Sequence, residues 1–287
     1  MAVSVRPISD GDLADVAEFF HANLNERVPG TAWATAFTPP WTCEQPNHGF
    51  MLVDDAGEVV GAYGALYSER TVGKRRERIC NLAAWCVRDD QRLHSLRLLK
   101  ALLAQEGYTF TDLSPSGNVV PLNNRLGFTE LDTTTVLVPA LPWPARGGLR
   151  VCSDPDAIRE TLSGEQLDLY RDHAGLAAAR HIVVIDGDRW CWVAFRMDRR
   201  KKLPPVFASI LHVSDHVLFR KQLRPIGGHL LLRHRAVALL AERRVTGPLT
   251  VRPQFMLRTP RKKMFLSSTM SADEVDYFYS ELMCLSW

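Results

Sequence analysis

The stretch RICNLAAWCV (78–87), continuing through RDDQRLHSLRLLKALLAQEGYTFTDL (88–113) to SPSGNVVPLNNRLGF (114–128), decides how this chain is read. Its opening residues are mostly apolar with charge on both sides, the pattern of a strand buried on both faces. Polar punctuation follows at 88–92. Leu93, Leu96, Leu99, Leu102 and Leu103 then recur at helical spacing, with Arg97 and Lys100 between them. Gly107 stands where a left-handed cap would end that helix. Residues 108–113 alternate back into a strand, and Ser114-Pro115-Ser116-Gly117 reads as a loop. Asn118 is a candidate N-cap for a short helix over 119–126, where Pro121 falls in the first turn and its missing N–H costs little.

This order of elements, with NNRLGF (123–128) closing it, resembles the core of the GNAT superfamily of acyl-CoA-dependent N-acyltransferases. In that family a Q/R-x-x-G-x-G/A segment after the central strand holds the pyrophosphate of coenzyme A on backbone amides at a helix N-terminus, where unpaired N–H groups favour an anion. The matching segment here is Gln91-Arg92-Leu93-His94-Ser95-Leu96-Arg97, which lacks both glycines and leaves Arg92, Arg97 and the Ser95 amide and hydroxyl as donors. The resemblance implies acetyl-CoA or another acyl-CoA as co-substrate and no metal. Pantetheine would bond like an added strand between 82–87 and 109–114, ending at Ser114, with Asn118 a partner for one of its amides. Backbone N–H groups around Trp85, Cys86 and Val87 would polarise the thioester carbonyl.

For catalysis, the resemblance places Asn123 where the family commonly has the tyrosine that protonates the departing thiolate. The family's base is usually a glutamate or a water relay on the central strand. Here that strand offers Asn81, with Glu77 just outside it. Cys80 and Cys86 read as buried small hydrophobes. Tyr279 or Glu281, near the C-terminus, could supply the missing acid or base if that segment returns over the cleft. A covalent route through Cys86 lacks a histidine placed by the sequence, since His94 lies on the following helix.

Composition bounds the rest. The chain has 287 residues, ample apolar material for a core and a formal charge of +3, too small to argue for nucleic acid. No run is long enough to cross a membrane, and MAVSVRPISD (1–10) lacks the apolar core of a signal peptide. Six scattered cysteines without a C-x-x-C pair fit a reducing cytoplasm rather than a disulfide framework or zinc.

Before the decisive stretch, 3–6 reads as a strand and Ser9-Asp10 caps a helix with Leu13, Val16, Phe19 and Phe20 on its apolar face. Residues 25–48, with four prolines and Trp33, Phe37 and Trp41, read as an irregular segment that either pins itself to the core or walls the acceptor site. A hairpin follows over 50–53 and 58–67, and Lys74, Arg75, Arg76 and Arg78 read as a basic tip. After Phe128, TELDTTTVLVPAL (129–141) alternates as one strand.

The proline and glycine cluster at 142–148 reads as a linker, and the second half repeats the first. It has a hairpin with an Asp186-Gly187 turn over 181–197, a basic tip at 199–202, a buried strand over 206–213, a helix over 229–244 and a short strand at 249–252. Arg224-Pro225-Ile226-Gly227-Gly228-His229 is a second partial phosphate-loop match, separated from its strand by 216–223. At the C-terminus a capping box of Ser271 and Glu274 precedes a helical face through Val275, Phe278 and Leu282.

The expected fold is therefore α/β of mixed α+β type, two tandem GNAT-like units each with a mostly antiparallel sheet flanked by helices. The units are 1–141 and a degenerate 149–287, joined by 142–148. The expected activity is direct transfer of an acyl group, acetyl, to a primary amine of a small molecule by a cytoplasmic monomer or homodimer, without nucleic acid or a membrane span. The layout also resembles tandem GNAT proteins of bacterial surface-polysaccharide biosynthesis, which implies an amino-sugar acceptor. The alternative is a catalytically degenerate GNAT-like protein that binds acyl-CoA or a protein partner.

Overall fold

The structure, a computed structural model, describes residues 3–199, 204 and 206–286. The first sheet is built from β1 (Val3–Pro7), β2 (Gly49–Asp54), β3 (Val59–Val72), β4 (Arg75–Val87), β5 (Thr109–Asp112) and β6 (Thr129–Glu130). The second takes β7 (Thr135–Pro139), β8 (Arg150–Cys152), β9 (Arg180–Asp186), β10 (Arg189–Asp198), β11 (Phe207–Val213), β12 (Ala238–Glu242) and β13 (Phe255–Met256). The chain then returns β14 (Met264–Leu266) to the first sheet.

The sheet orders are β1-β2-β3-β4-β5-β14-β6 and β13-β7-β12-β11-β10-β9-β8. Each has one parallel pair, β4 with β5 and β11 with β12, and is otherwise antiparallel. Read from opposite ends the orders match, with one exchange. The strand between β5 and β6 comes from the C-terminal segment, and the strand between β12 and β13 comes from residues that directly follow β6.

That exchange overrides the linker-based division. The compact units are Met1–Leu131 with Lys262–Val275 and Tyr279–Trp287, and Asp132–Arg261 with Asp276–Phe278. Residues 142–148 form an irregular stretch inside the second unit, because ladder pairing, not composition, decides to which sheet a strand belongs. The single strand expected over 129–141 is accordingly split between the two sheets.

In the first unit, α1 (Leu13–Asn23) buries Leu13, Val16, Phe19 and Phe20. The segment 25–48 is not wholly irregular: Gly30–Phe37 forms α2, buries Trp33 and Phe37, and stacks them on Phe20. A Cβ on Gly64 would lie 2.3 Å from the Phe37 ring, so glycine there lets α2 lie against β3. The aromatics thus pin the segment to the core. The supposed basic tip is mostly strand, since β4 begins at Arg75, and its charges are partnered. Arg75 pairs with Glu77 and Glu274, Arg76 with Glu69, and Arg78 lies over the Tyr108 ring at 4.2 Å. After β4 comes a 3-10 turn (Asp89–His94) leading into α3 (Ser95–Leu103), and α4 (Val120–Arg125) follows β5.

The second unit departs further from expectation. Its helices are α5 (Pro155–Thr161), α6 (Gly164–His173), α7 (His216–Lys221), α8 (Leu223–His234) and the short α9 (Arg243–Thr246). The expected helix over 229–244 is therefore the end of α8, then β12, then α9, and residues 249–252 form no strand. The apolar run 236–241 is short enough for a strand, and it is the ladder pairing with β11 and β7 that tells it from a helix. Of the basic segment 199–202, residues 200–202 lie outside the described residues.

At the C-terminus the Ser271–Glu274 capping box is present, but it opens only a 3-10 turn (Ala272–Glu274). A further short helix, α10, spans Glu281–Cys284. Val275, Phe278 and Leu282 are buried, and so are Tyr277 and Glu281.

Candidate active site in the first unit

The parallel pairing of β4 with β5 runs from Ile79↔Thr109 to Asn81↔Thr111 and stops, while β4 continues to Val87 along β3. Ala83 is the extra residue where the β3–β4 register shifts, opposite Gly64 and Ala65. Past that bulge the two parallel strands part. A cavity of about 520 Å3 fills the opening, lined by 82–87 of β4, by Asp112 and Ser114 beyond β5, and by Asn118, Val119 and Leu122. Tyr63, Arg92, Ser95, Leu24 and Leu96 complete its walls. Such a volume lies within the range of small-ligand sites, about 300–1,000 Å3.

The seven expected cofactor residues, Trp85, Cys86, Val87, Arg92, Ser95, Ser114 and Asn118, all line this cavity. Arg88 N–H donates to Val60 O, which fixes the phase of β4. By alternation along the strand the Trp85 and Val87 amides face away from β3, toward the opening. Trp85 stacks on Tyr63 with centroids 4.6 Å apart, and its Nε1 is buried with no acceptor among the described residues. An orphaned buried donor costs about 1–3 kcal/mol, so the wall fits a ligand that brings a carbonyl. The thioester and amide end of an acyl-pantetheine has that chemistry.

The expected catalytic residues do not converge on the opening. Glu77 sits at the far end of β4, paired with Arg75 and accepting from Thr269 Oγ1 at 2.8 Å. Tyr279 holds φ of 56° and packs edge-on against Trp41. Asn81 is a buried clip: its Nδ2 donates to Thr111 Oγ1 at 3.0 Å, and its Oδ1 accepts from Glu281 N–H at 3.0 Å. Asn123 is wholly buried and donates from Nδ2 to Asp112 Oδ2 at 2.8 Å. None of the four is among the residues that line the cavity.

Asp112, which the sequence reads only as part of a strand, is where the Asn123 bond leads. Its carboxyl group is 4% exposed and lines the cavity. Burial first, then the neighbouring Glu281 carboxylate, push its pKa up to about 7, against hydrogen bonds from Asn123 and the Ser114 amide. Glu281, fully buried on α10, accepts from Ser114 Oγ at 2.6 Å. One signal was available. An aspartate closing the short strand TFTD (109–112), just before a Ser-Pro-Ser-Gly loop, stands at the carboxyl end of a strand, where sites in α/β sheets form.

The cysteines lend themselves poorly to covalent chemistry. Burial pushes the Cys80 thiol up to about 12, and burial and Asp89 raise Cys86. Among the described residues no group of three or more His, Cys, Asp or Glu could hold a metal ion. No helix of the described residues is long and apolar enough to cross a membrane.

Among the described residues of the second unit, packed side chains stand where the first unit opens. Gly227 and Gly228 lie within α8, and a Cβ on Gly228 would meet the Trp143 backbone at 2.4 Å, so that glycine serves close packing. The β11–β12 pairing stops at Ser209↔Leu240, and beyond it Phe278 packs on His212 and His173, with centroids 4.8 Å away, and on Trp192 at 5.5 Å. Tyr277 hydrogen-bonds Glu242 at the end of β12.

No protein-family model and no curated protein sequence matches the chain. Solved structures do. A GCN5-related N-acetyltransferase from Anabaena variabilis ATCC 29413 superposes with a TM-score of 0.58 at 10% identity, covering 92% of this chain and 72% of that one. A conserved protein of unknown function from Enterococcus faecalis V583 gives 0.61 at 9% identity over the same shares, 92% and 72%. A GCN5-related glucosamine N-acetyltransferase region of a fungal multi-domain β-N-acetylglucosaminidase gives 0.56 at 12% identity, covering 92% of this chain and 38% of that one. The chain therefore has the fold of the GCN5-related N-acetyltransferases.

Proposed function

We propose that the first unit is an acyl-CoA-dependent N-acyltransferase that passes an acyl group, acetyl being the simplest, directly to a primary amine of a small molecule. The observation that carries this reading is a single carboxyl group, Asp112, buried in the wall of the opening between parted parallel strands with a pKa near neutrality. An ammonium ion has no lone pair, so the acceptor must lose a proton, and a base works best when its pKa lies near the working pH.

In this reading Asp112 takes the amine proton. Asn123 orients the Asp112 carboxyl group, and Glu281, through its charge, holds the proton affinity up. The bound thioester supplies an electrophilic carbonyl. The Trp85 and Val87 amides are donors for the negative charge that develops on its oxygen. Tyr63, whose hydroxyl is held protonated by burial and by the charge of Asp112, is suited to donate a hydrogen bond to the leaving sulfur. An amino sugar is the acceptor class we favour, supported by the likeness to the glucosamine N-acetyltransferase region. The six free cysteines suit action in a reducing compartment such as the cytoplasm.

The test is thiol release from acetyl-CoA by the purified chain in the presence of glucosamine and a panel of other primary amines. Amine-dependent release that disappears in Asp112→Asn supports the proposal. Release unchanged in that variant removes Asp112 from the chemistry, and no release with any amine sinks the transferase reading.

A further inference from the structure

The segment after β4, which in the resembling family grips the diphosphate of coenzyme A, is closed to an anion in this chain. It winds into a 3-10 turn in which Gln91 N–H donates to Arg88 O at 2.9 Å. The turn runs straight into α3, and the amide at the head of that helix, Ser95 N–H, already donates to Arg92 O. Such a helix start does not offer the loose amides that make an N-terminus an anion site.

Its charges are also spent locally. Arg88 pairs with Asp90 at 3.2 Å and Arg92 with Asp89 at 2.8 Å, so this short stretch carries as many carboxylates as guanidinium groups. Arg97, the remaining arginine, donates to Val3 O at 2.7 Å. At the mouth stand leucines instead. Leu93 is 95% exposed, and Leu24 and Leu96, which line the cavity, are exposed as well. A diphosphate laid over them would give up water, and Arg92, the guanidinium in the cavity lining, would have to leave Asp89 to meet it.

Deeper in, the chemistry changes. The unpartnered Trp85 Nε1, the free edge of β4 and the half-buried Ser114, with Asn118 on the exposed part of the lining, are neutral groups suited to the amides and thioester of a pantetheine arm. We propose that the acyl donor is recognised through its thioester and pantetheine arm alone, the nucleotide adding nothing, so that the donor is any acyl-pantetheine thioester, whether free coenzyme or carrier-protein-bound. This rests on the reading of the cavity as a thioester site given above.

The experiment is calorimetric titration of the full chain with acetyl-CoA, with S-acetyl-pantetheine, with the nucleotide fragment of coenzyme A, and with an acetylated carrier protein. Acetyl-CoA and S-acetyl-pantetheine are expected to bind within about threefold of each other, and the nucleotide fragment not to compete. Affinity for acetyl-CoA is expected to change less than about threefold when salt is raised from about 0.05 to 0.5 M, since no charged contact is being screened. Tighter binding of the carrier-bound thioester than of acetyl-CoA would name a carrier protein as the source, and equal binding the free coenzyme, both within the proposal.

Binding of acetyl-CoA about 100-fold tighter than S-acetyl-pantetheine would overturn it while leaving the transferase reading intact. If neither small thioester nor the loaded carrier binds, both fall together.

Discussion

The two parallel strand pairs of this chain are built alike and end differently. β4 and β5 pair over three residues and part around an open cavity with a carboxyl group in its wall. β11 and β12 also pair over three residues, but Phe278 and Tyr277 pack at their parting ends, among His173, Trp192, His212 and Glu242. Parallel pairing leaves a splay at the strand ends in either case. What occupies it decides whether the splay is a site or a core.

The comparison breaks most directly at Asp112. If the open splay is catalytic, Asp112→Asn lowers amine-dependent thiol release by about 100- to 10,000-fold, the usual worth of a general base. Its effect on stability should have the opposite sign. An aspartate whose native pKa is about 7 against a model value of 3.8 binds its proton more tightly when folded. The wild-type chain therefore loses stability as pH rises between those values, by at most about 4 kcal/mol, and the Asn variant should lack that slope in urea titrations.

On the other side of the comparison, Phe278→Ala should cost about 3–5 kcal/mol in denaturant unfolding, as expected for emptying a packed aromatic site. It should leave thiol release per folded molecule unchanged. A loss of catalysis at full stability would show that the filled splay is functional after all.

Asn123→Ala is the subtler probe. Removing its hydrogen bond raises the Asp112 pKa further, so activity at pH 7 should fall about tenfold and recover on the alkaline side, as in a shifted rather than lowered profile. An equal loss at every pH would mean a packing defect. Smallest of all is the wild-type profile itself. Thiol release should rise with pH through about 7 and level off above it, and a flat profile from pH 6 to 8 would take Asp112 out of the proton path.

The splay of the first unit was legible because its elements are local in sequence. An apolar strand, a leucine-spaced helix, a second strand and a short helix lie within 78–128, and each carries its own periodicity and punctuation. The lining residues Trp85, Cys86, Val87, Arg92, Ser95, Ser114 and Asn118 came from the family resemblance which that order carries, not from the periodicity itself. The carboxyl chemistry was not legible, because the proton affinity of Asp112 depends on Glu281, 169 positions later, and on a burial that no periodicity reports. The same holds for residues 236–246, where a short apolar run fits strand or helix equally until its neighbours are known.

The exchanged strands bear on how the protein is made. Met264 pairs with Asp112 and Phe265 with Thr111, so the strand that finishes the first sheet leaves the ribosome long after the strands it joins. Until then the nascent chain holds β5 with one edge bare, beside the aspartate proposed as the base. Contacts of such sequence separation fold slowly and expose edges that can pair with the wrong partner. A nick within 142–148 should accordingly yield fragments that recover activity only when mixed, each carrying a strand that the other's sheet requires.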